Sequence, residues 1–186
     1  CTQAGLDKII LVIGHQGELV QEALGDKFLY AWQKEQLGTG HAVLQAMPLL
    51  TSDIKDVLVV CGDTPLLTKA TLSNLIKQHK VTDAACTVLT TNLDDPSGYG
   101  RIIRNHSGDV VKIVEQKDGE PAELKVKEIN SGTYCFKADI LKEMLHKIKP
   151  NNKQGEYYLT DVISLCREKN LTIGAYLTID PEEVMG

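Results

Sequence analysis

Three groups of polar residues follow predicted strands, where open α/β sheets bind their ligands. The first runs from Gln33 to His41 as QKEQLGTGH, directly after a strand that ends at Trp32. Gly38 and Gly40 allow backbone amides to approach a ligand closely, and the helix that follows favours an anion at its start. The Gln33 amide offers one acceptor and two donor hydrogens, a pattern that can pair with the imide edge of uracil. An ordinary glycine-rich turn between a strand and a helix explains the same residues.

The second group is CGDTP at residues 61–65, at the end of the most apolar predicted strand. Asp63 stands at the tip of that strand, where a carboxylate could hold a Mg²⁺ that bridges substrate phosphates. Mg²⁺ typically takes one or two protein carboxylates and keeps several waters. The competing interpretation is that Asp63 only caps the turn before Pro65.

The third group is spread along the second half of the chain. Its segments are SGYGR at 97–101, EQKD at 115–118, NSG at 130–132 and QGEYYLT at 154–160. Glu115 and Asn130 stand at or near strand ends, where each could bind sugar hydroxyls or an acetamide. Taken singly, each is more often a turn or surface residue. Nucleophilic catalysis receives no support, since neither GxSxG nor HExxH occurs.

Composition narrows the classes of function. Hydrophobic residues make up 42% of the 186 residues and charged residues 24%, as in an ordinary globular domain. The longest apolar runs are far shorter than the ~20 residues of a membrane-spanning helix. The 20 Lys and Arg against 25 Asp and Glu give a net charge of −5, which argues against nucleic acid or an anionic membrane as the main partner.

The cysteines indicate a reducing compartment. Their number, five, is odd, no CxxC pair occurs, and three of them (Cys61, Cys86 and Cys135) lie in apolar runs. We therefore expect reduced core thiols and no structural zinc, and we expect the protein to be cytoplasmic.

Apolar periodicity predicts alternating strands and helices. Strands are predicted at 8–13, 28–32, 56–60, 84–90, 100–104, 110–115, 129–137 and 171–176, and helices at about 18–24, 40–47, 72–79, 141–148 and 160–169. This order predicts one α/β domain with a mostly parallel sheet and a small mixed or antiparallel insert in the middle third. Residues 2–5 are typical of a helix end, and a new helical turn begins near residue 182, so we expect part of a longer product whose first strand is missing.

The polar groups, taken in this order, resemble one known family. QxEQLGTGHA, CGDTPL, DDPxGYGRI, IVEQKD, EINSGTY and NNxQGEYYLTDVI are similar to the uridylyltransferase domain of the N-acetylglucosamine-1-phosphate uridyltransferase family. The resemblance extends from about Gly5 to Gly186. It implies a Rossmann-like nucleotidyltransferase fold and a partial domain, cut at both ends, over residues 1–186.

The resemblance also implies residue roles. Gln33, Gly38 and Thr39 would hold uracil, and Asp63 would be the catalytic residue that binds Mg²⁺. The other implied substrate-binding residues are Gly100, Glu115 and Asn130 for the amino sugar or ribose, and Tyr158 and Thr160 in the sugar pocket. Cys61 stands where some members carry Tyr, so one sugar contact is in doubt.

The implied reaction is Mg²⁺-dependent uridylyl transfer from UTP to N-acetylglucosamine 1-phosphate, giving UDP-N-acetylglucosamine, a peptidoglycan precursor, and pyrophosphate. The family's glycine-rich loop, with its Arg and Lys, and the Asn that is its second Mg²⁺ ligand fall outside residues 1–186. So does the β-helix acetyltransferase domain, through which members of the family trimerise. Whether this chain forms a homo-oligomer by another surface is left open by the sequence. We therefore expect this chain alone to be nearly inactive.

Three alternatives remain open at this point. The chain could be a non-catalytic module that binds nucleotide sugars, or a nucleotidyltransferase for another sugar phosphate. It could also be a glycosyltransferase of related fold, although that class usually carries an Asp-x-Asp pair where this sequence has Cys-Gly-Asp.

Overall fold

Eight strands and five α-helices are formed by residues 6–185, the part of the chain that the computed structural model describes. The strands are β1 (Ile10–Ile13), β2 (Leu29–Trp32), β3 (Asp56–Val59), β4 (Cys86–Asn92), β5 (Gly100–Arg104), β6 (Val110–Val114), β7 (Glu128–Lys137) and β8 (Ile173–Leu177). The α-helices are α1 (Gly17–Leu24), α2 (Thr39–Ala46), α3 (Lys69–Thr82), α4 (Ala138–Leu145) and α5 (Asp161–Glu168). Short 3₁₀ helices lie at Gly25–Lys27, Met47–Leu49, Glu123–Lys125 and Pro181–Val184.

Every strand and helix expected from the periodicity is present, with small shifts at its ends. The helix α4 ends at Leu145, although the apolar pattern continues to Ile148. Ile148 lies beyond the helix and after the turn at His146 and Lys147, yet it is only 7% exposed. The periodicity therefore identified the buried face and not the helix end. The helix end expected at residues 2–5 lies outside the described residues.

The main sheet is mixed and is built around β7. β3 and β4 pair with β7 on its two sides, both antiparallel, and β4 pairs in parallel with β8. Thus β3, β4 and β8 run in one direction and β7 runs against them. The antiparallel strands β5 and β6 join the first part of β7, and β1 and β2 form a separate parallel pair. The α/β class and the mixed insert are confirmed; antiparallel pairing is more extensive than expected, because β7 is central.

Two apolar clusters cover the faces of the main sheet. On β7, Tyr134 and Phe136 belong to the larger cluster with α2, α4 and α5, whereas Cys135 between them packs with Leu75 of α3. This alternation is the period-2 pattern of a strand that is buried on both faces. Cys61, Cys86, Cys135 and Cys166 are all free thiols, and the last three are buried. None of the helices in residues 6–185 combines the length and hydropathy needed to cross a membrane.

The topology brings distant polar residues to one end of the sheet. Gln33 follows β2, the segment 61–63 follows β3, and Glu115 follows β6. Because β7 runs against β3, its first half lies beyond the carboxyl end of β3, where Cys61 Sγ donates to the Gly132 carbonyl at 3.5 Å. Asn130 therefore joins the same end of the sheet from an antiparallel strand.

Candidate functional site

A cleft of about 530 Å³ opens at this end of the sheet, within the usual size range of ligand pockets. Seven of the nine residues that the sequence indicates for the site line it: Gln33, Thr39, Asp63, Gly100, Glu115, Asn130 and Thr160. Gly38 and Tyr158 do not. Gly38 adjoins the wall at Thr39, and Tyr158 is 7% exposed, with its hydroxyl 2.5 Å from Gln154 Nε2. Burial raises the pKa of Tyr158 above its ordinary value.

The Gln33 side chain is held by hydrogen bonds at the start of the loop between β2 and α2. Its backbone N–H donates to the Ile13 carbonyl at 2.8 Å, which continues the β1–β2 ladder to the strand end. Its Nε2 lies 3.0 Å from the Gly38 carbonyl oxygen and 3.0 Å from His41 Nδ1. The amide of Gln33 is thus anchored by its own loop and by the first turn of α2.

The glycine-rich loop is joined to a distant segment by three hydrogen bonds. Tyr157 N–H donates to the Leu37 carbonyl at 2.8 Å, and Gly40 N–H donates to the Tyr157 carbonyl at 2.7 Å. The Thr39 hydroxyl accepts from Leu159 N–H at 3.0 Å. Gly38 has φ +109°, and a Cβ there would lie 2.7 Å from the Tyr157 carbonyl oxygen, so this close approach requires glycine.

Asp63 lies in an exposed turn after β3 and lines the cleft. The Thr64 hydroxyl closes this turn by donating to the Cys61 carbonyl at 3.1 Å. Burial and the neighbouring Asp63 carboxylate both raise the pKa of the Cys61 thiol. Cys61 therefore faces the cleft as a neutral thiol and not as a nucleophilic thiolate.

Glu115 lines the cleft, and its carboxylate is hydrogen-bonded. Its Oε1 accepts from the Thr160 hydroxyl at 3.0 Å. Burial raises the pKa of Glu115, the bond from Thr160 opposes that shift, and the carboxylates of Asp118 and Asp161 add to it. Gly100 makes room for this side chain, since a Cβ there would lie 3.3 Å from Glu115 Oε2.

Asn130 stands at an irregular point of β7. The pairing of β4 with β7 shifts between Val88 and Thr90, and Gly132 has φ +77°. Asn130 Oδ1 accepts from Gly132 N–H at 3.0 Å, which holds the amide beside the cleft. Bulges of this kind are common next to binding sites, where they redirect side chains.

The charges on the cleft wall are negative. Asp63 and Glu115 contribute carboxylates, and within residues 6–185 no lysine or arginine lines the cleft. In the described part of the chain no three His, Cys, Asp or Glu side chains converge as a metal site. A single exposed carboxylate beside such a cleft fits Mg²⁺, which takes one or two carboxylates and completes its shell with phosphate oxygens and water.

Some features of the site were not predicted from the sequence. Tyr134 lines the cleft and stacks on Phe136 with ring centroids 5.4 Å apart. Tyr99 and Ser131 also line it; both lie in the third polar group, but the sequence assigned neither a role. The signal that could have located the bulge is Gly132 inside the predicted strand 129–137, since glycine in a strand often marks one.

The chain also matches known proteins over this whole region. A model of the nucleotidyl transferase family matches residues 1–179. The chain belongs to the nucleotidyl transferase family. It is 50% identical over 185 residues to the bifunctional protein GlmU of Heliobacterium modesticaldum, a match that covers 100% of this chain and 40% of that protein. It is 49% identical over 185 residues to the bifunctional protein GlmU of Bacillus cereus strain G9842, with the same coverage.

The bifunctional protein GlmU of Enterococcus faecalis is 49% identical over 179 residues, which are 96% of this chain and 39% of that protein. The resemblance inferred from the motifs is confirmed by these matches. The chain spans about 40% of the length of these curated relatives.

Proposed function

We propose that the cleft is the nucleotide-sugar site of a uridylyltransferase that joins UTP and N-acetylglucosamine 1-phosphate. The observation that carries the proposal is the meeting of Gln33, Asp63, Glu115 and Asn130 around one cleft of about 530 Å³. The family membership and the similarity to GlmU proteins support it. The products would be UDP-N-acetylglucosamine and pyrophosphate.

We propose that different residues of the cleft bind different parts of the ligand. Gln33 and the loop that carries Gly38 and Thr39 would bind the uracil base. Glu115 and Asn130 would accept from and donate to the hydroxyl and acetamide groups of the sugar. Thr160 would keep Glu115 in position, as its 3.0 Å bond indicates. Tyr158 would support the segment behind the sugar without lining the cleft.

The reaction would be an in-line displacement at phosphorus. An oxygen of the sugar phosphate would attack the α-phosphorus of UTP, and the bond from that phosphorus to the pyrophosphate oxygen would break. The protein's own contribution would be to hold the uracil and the sugar so that the two phosphates meet, which converts a bimolecular step into one between fixed groups. Asp63 would hold the Mg²⁺, which when bound would neutralise charge on the phosphates.

A polypeptide of residues 1–186 would turn over slowly by this mechanism. The described wall carries no lysine or arginine that could bind the triphosphate. Loss of one well-placed donor from such a site costs about 10²–10³ in rate. Robust release of pyrophosphate from UTP by residues 1–186 would overturn this part of the proposal.

Ligand-observed saturation-transfer NMR tests the orientation of the ligand. With UDP-N-acetylglucosamine, we expect strong saturation of both the uracil ring protons and the acetamide methyl group, because both ends of the ligand contact the walls. UDP-glucose serves as the control, and the variant Gln33→Ala should lower the uracil signal more than the sugar signal. Saturation of the sugar alone, or none by a folded chain, contradicts the proposed uracil site. If UDP-glucose displaces UDP-N-acetylglucosamine from the cleft as readily as unlabelled UDP-N-acetylglucosamine does, a different sugar phosphate would be favoured as the substrate.

A further inference from the structure

The carboxamide of Gln33 is held in one orientation by two groups. Within residues 6–185, both hydrogen bonds of this side chain are made through Nε2, to the Gly38 carbonyl oxygen and to His41 Nδ1, each at 3.0 Å. An amide nitrogen carries two hydrogens, so both are used. Oε1 is then the free polar atom of a side chain that lines the cleft.

The Gly38 carbonyl determines which end of the amide is nitrogen. A carbonyl oxygen only accepts, so exchange of the two ends would put Gln33 Oε1 3.0 Å from a second acceptor. Amide orientation is assigned from such networks, and here the backbone itself supplies the constraint. Gln33 Nε2 must therefore be the donor toward Gly38.

The same constraint assigns the tautomer of His41. If Gln33 Nε2 donates to His41 Nδ1, that ring nitrogen carries no proton, and the neutral ring carries its proton on Nε2. His41 Nε2 lies 3.1 Å from Gln45 Nε2, one helical turn further along α2. To accept this proton, the Gln45 amide would exchange its two ends, which replaces a long 3.3 Å bond from Nε2 to the His41 carbonyl with a contact between two acceptors. That contact is longer than the 3.0 Å contact that the same exchange would create between Gln33 and Gly38. The opposite tautomer would force the Gln33 carbonyl against Gly38.

We propose that His41 is a positioning residue that, together with Gly38, keeps Gln33 Oε1 toward the cleft and so makes the site select bases with an N–H at the uracil N3 position. The inference rests on the proposed uracil site and adds the group that enforces its selectivity. Uracil N3–H can donate to Oε1, whereas N3 of cytosine is an acceptor. A Gln free to turn could present its NH₂ to cytosine, but here that turn would place Oε1 against the Gly38 carbonyl oxygen and, in the tautomer inferred above, against His41 Nδ1.

The test compares two variants of His41 that differ in where they place an acceptor. His41→Asn carries its amide oxygen on Cγ, the atom that bears Nδ1 in histidine, so Asn can accept from Gln33. His41→Gln carries its amide one bond further out, near the position of Nε2, and leaves no acceptor at the δ position. Both variants lose the ring that lies 6.4 Å from the Tyr157 ring, so they are matched for that loss.

The measured quantity is the ratio of the dissociation constants for CDP and UDP, obtained by calorimetric titration of the 186-residue chain. We expect the parent chain and His41→Asn to prefer UDP, and His41→Gln to lose at least about fivefold of that preference, which corresponds to one ordinary hydrogen bond. Thermal unfolding shows whether each variant remains folded. Loss of structure would weaken the binding of UDP and of CDP alike and would leave the ratio of their dissociation constants unchanged.

The outcomes separate this inference from the proposed function. If the parent chain prefers UDP and His41→Gln keeps the whole preference, the role of His41 is wrong and the uracil site stands. If the parent chain binds UDP and CDP equally, both are overturned. A second measurement needs no variant: ¹⁵N NMR of the histidine rings at an alkaline pH, where free imidazole is neutral. A proton on Nε2 of His41 supports the inference, and a proton on Nδ1 overturns it.

Discussion

Asp63 is the carboxylate on which cation binding in the cleft would depend. It is exposed, it lines the cleft, and no lysine or arginine of residues 6–185 shares that wall. A diphosphate brought beside Asp63 would be repelled unless a cation lay between them. For Asp63→Asn, we expect UDP-sugar binding to lose its dependence on Mg²⁺, whereas the parent chain should bind about tenfold more tightly with Mg²⁺ than without it.

Titrations with and without Mg²⁺ measure this dependence. Asp26→Asn is the matched control, because Asp26 is also an exposed aspartate but does not line the cleft. An equal effect of Mg²⁺ on the parent chain and on Asp63→Asn would show that the cation is held elsewhere.

The protonation of Glu115 depends on its burial and on its hydrogen bond from Thr160. Burial raises the pKa of its carboxyl, and the hydrogen bond from Thr160 opposes that shift by stabilising the charged form. In Thr160→Val we expect the pKa of Glu115 to rise further, and UDP-N-acetylglucosamine affinity to fall about fivefold, the effect of one hydrogen bond. Carboxyl ¹³C NMR titration measures the pKa, with Thr172→Val as the control on an exposed threonine outside the cleft. A pKa unchanged by Thr160→Val would contradict the role given to Thr160.

At the scale of elements, the loop before α2 and the segment before α5 behave as one unit. Gly38 has φ +109°, a conformation that residues with a side chain rarely adopt. A Cβ at this position would lie 2.7 Å from the Tyr157 carbonyl oxygen. Gly38→Ala should lower the free energy of unfolding by about 1–3 kcal/mol and weaken uridine nucleotide binding. Gly25→Ala is the control, since Gly25 also has positive φ, +65°, but nothing lies within 4 Å of its Cβ position.

Chemical denaturation and calorimetric titration separate the two effects of Gly38→Ala. Gly25→Ala should lose stability through backbone strain and keep its affinity for nucleotide. If Gly38→Ala keeps the affinity of the parent chain, the loop does not shape the proposed uracil site.

Apolar periodicity predicted the strands and helices well, because each periodicity extends over only a few neighbouring residues of the chain. The pairings were less predictable, because they join residues that are far apart in the chain. Thr39 and Leu159 are 120 residues apart, and Glu115 and Thr160 are 45 apart. The central place of β7 and its bulge at Gly132 likewise depend on register, which apolar alternation alone does not reveal. The role of His41 depends on the orientation of an amide, which no residue pattern encodes.

At the scale of the whole molecule, a buried histidine links stability to pH. His79 of α3 is 2% exposed, and its Nδ1 lies 2.9 Å from the Thr87 hydroxyl of β4. Burial lowers its pKa, although Asp56, 3.6 Å from Nε2, acts in the opposite direction. Because the unfolded chain binds the proton more readily, the free energy of unfolding should fall as pH falls through the ordinary histidine range near about 6.5.

Urea denaturation at several pH values between about 7 and 5 measures this slope. In His79→Gln the fall should be shallower than in the parent chain, because glutamine does not titrate. His106→Gln is the control, since His106 is exposed and has no buried environment. A slope that His79→Gln leaves unchanged would assign the pH dependence to other groups.

The central claim concerns the whole cleft, which is assembled from both halves of the chain as a site for a uridine diphosphate sugar. Calorimetric titration of residues 1–186 with UDP-N-acetylglucosamine in the presence of Mg²⁺ tests it most directly, with UDP-glucose as the comparison. The account predicts saturable one-to-one binding that is tighter for the N-acetylated sugar, because Asn130 and Glu115 are proposed to bind the sugar end. Absence of binding by a chain that is folded by circular dichroism would contradict it.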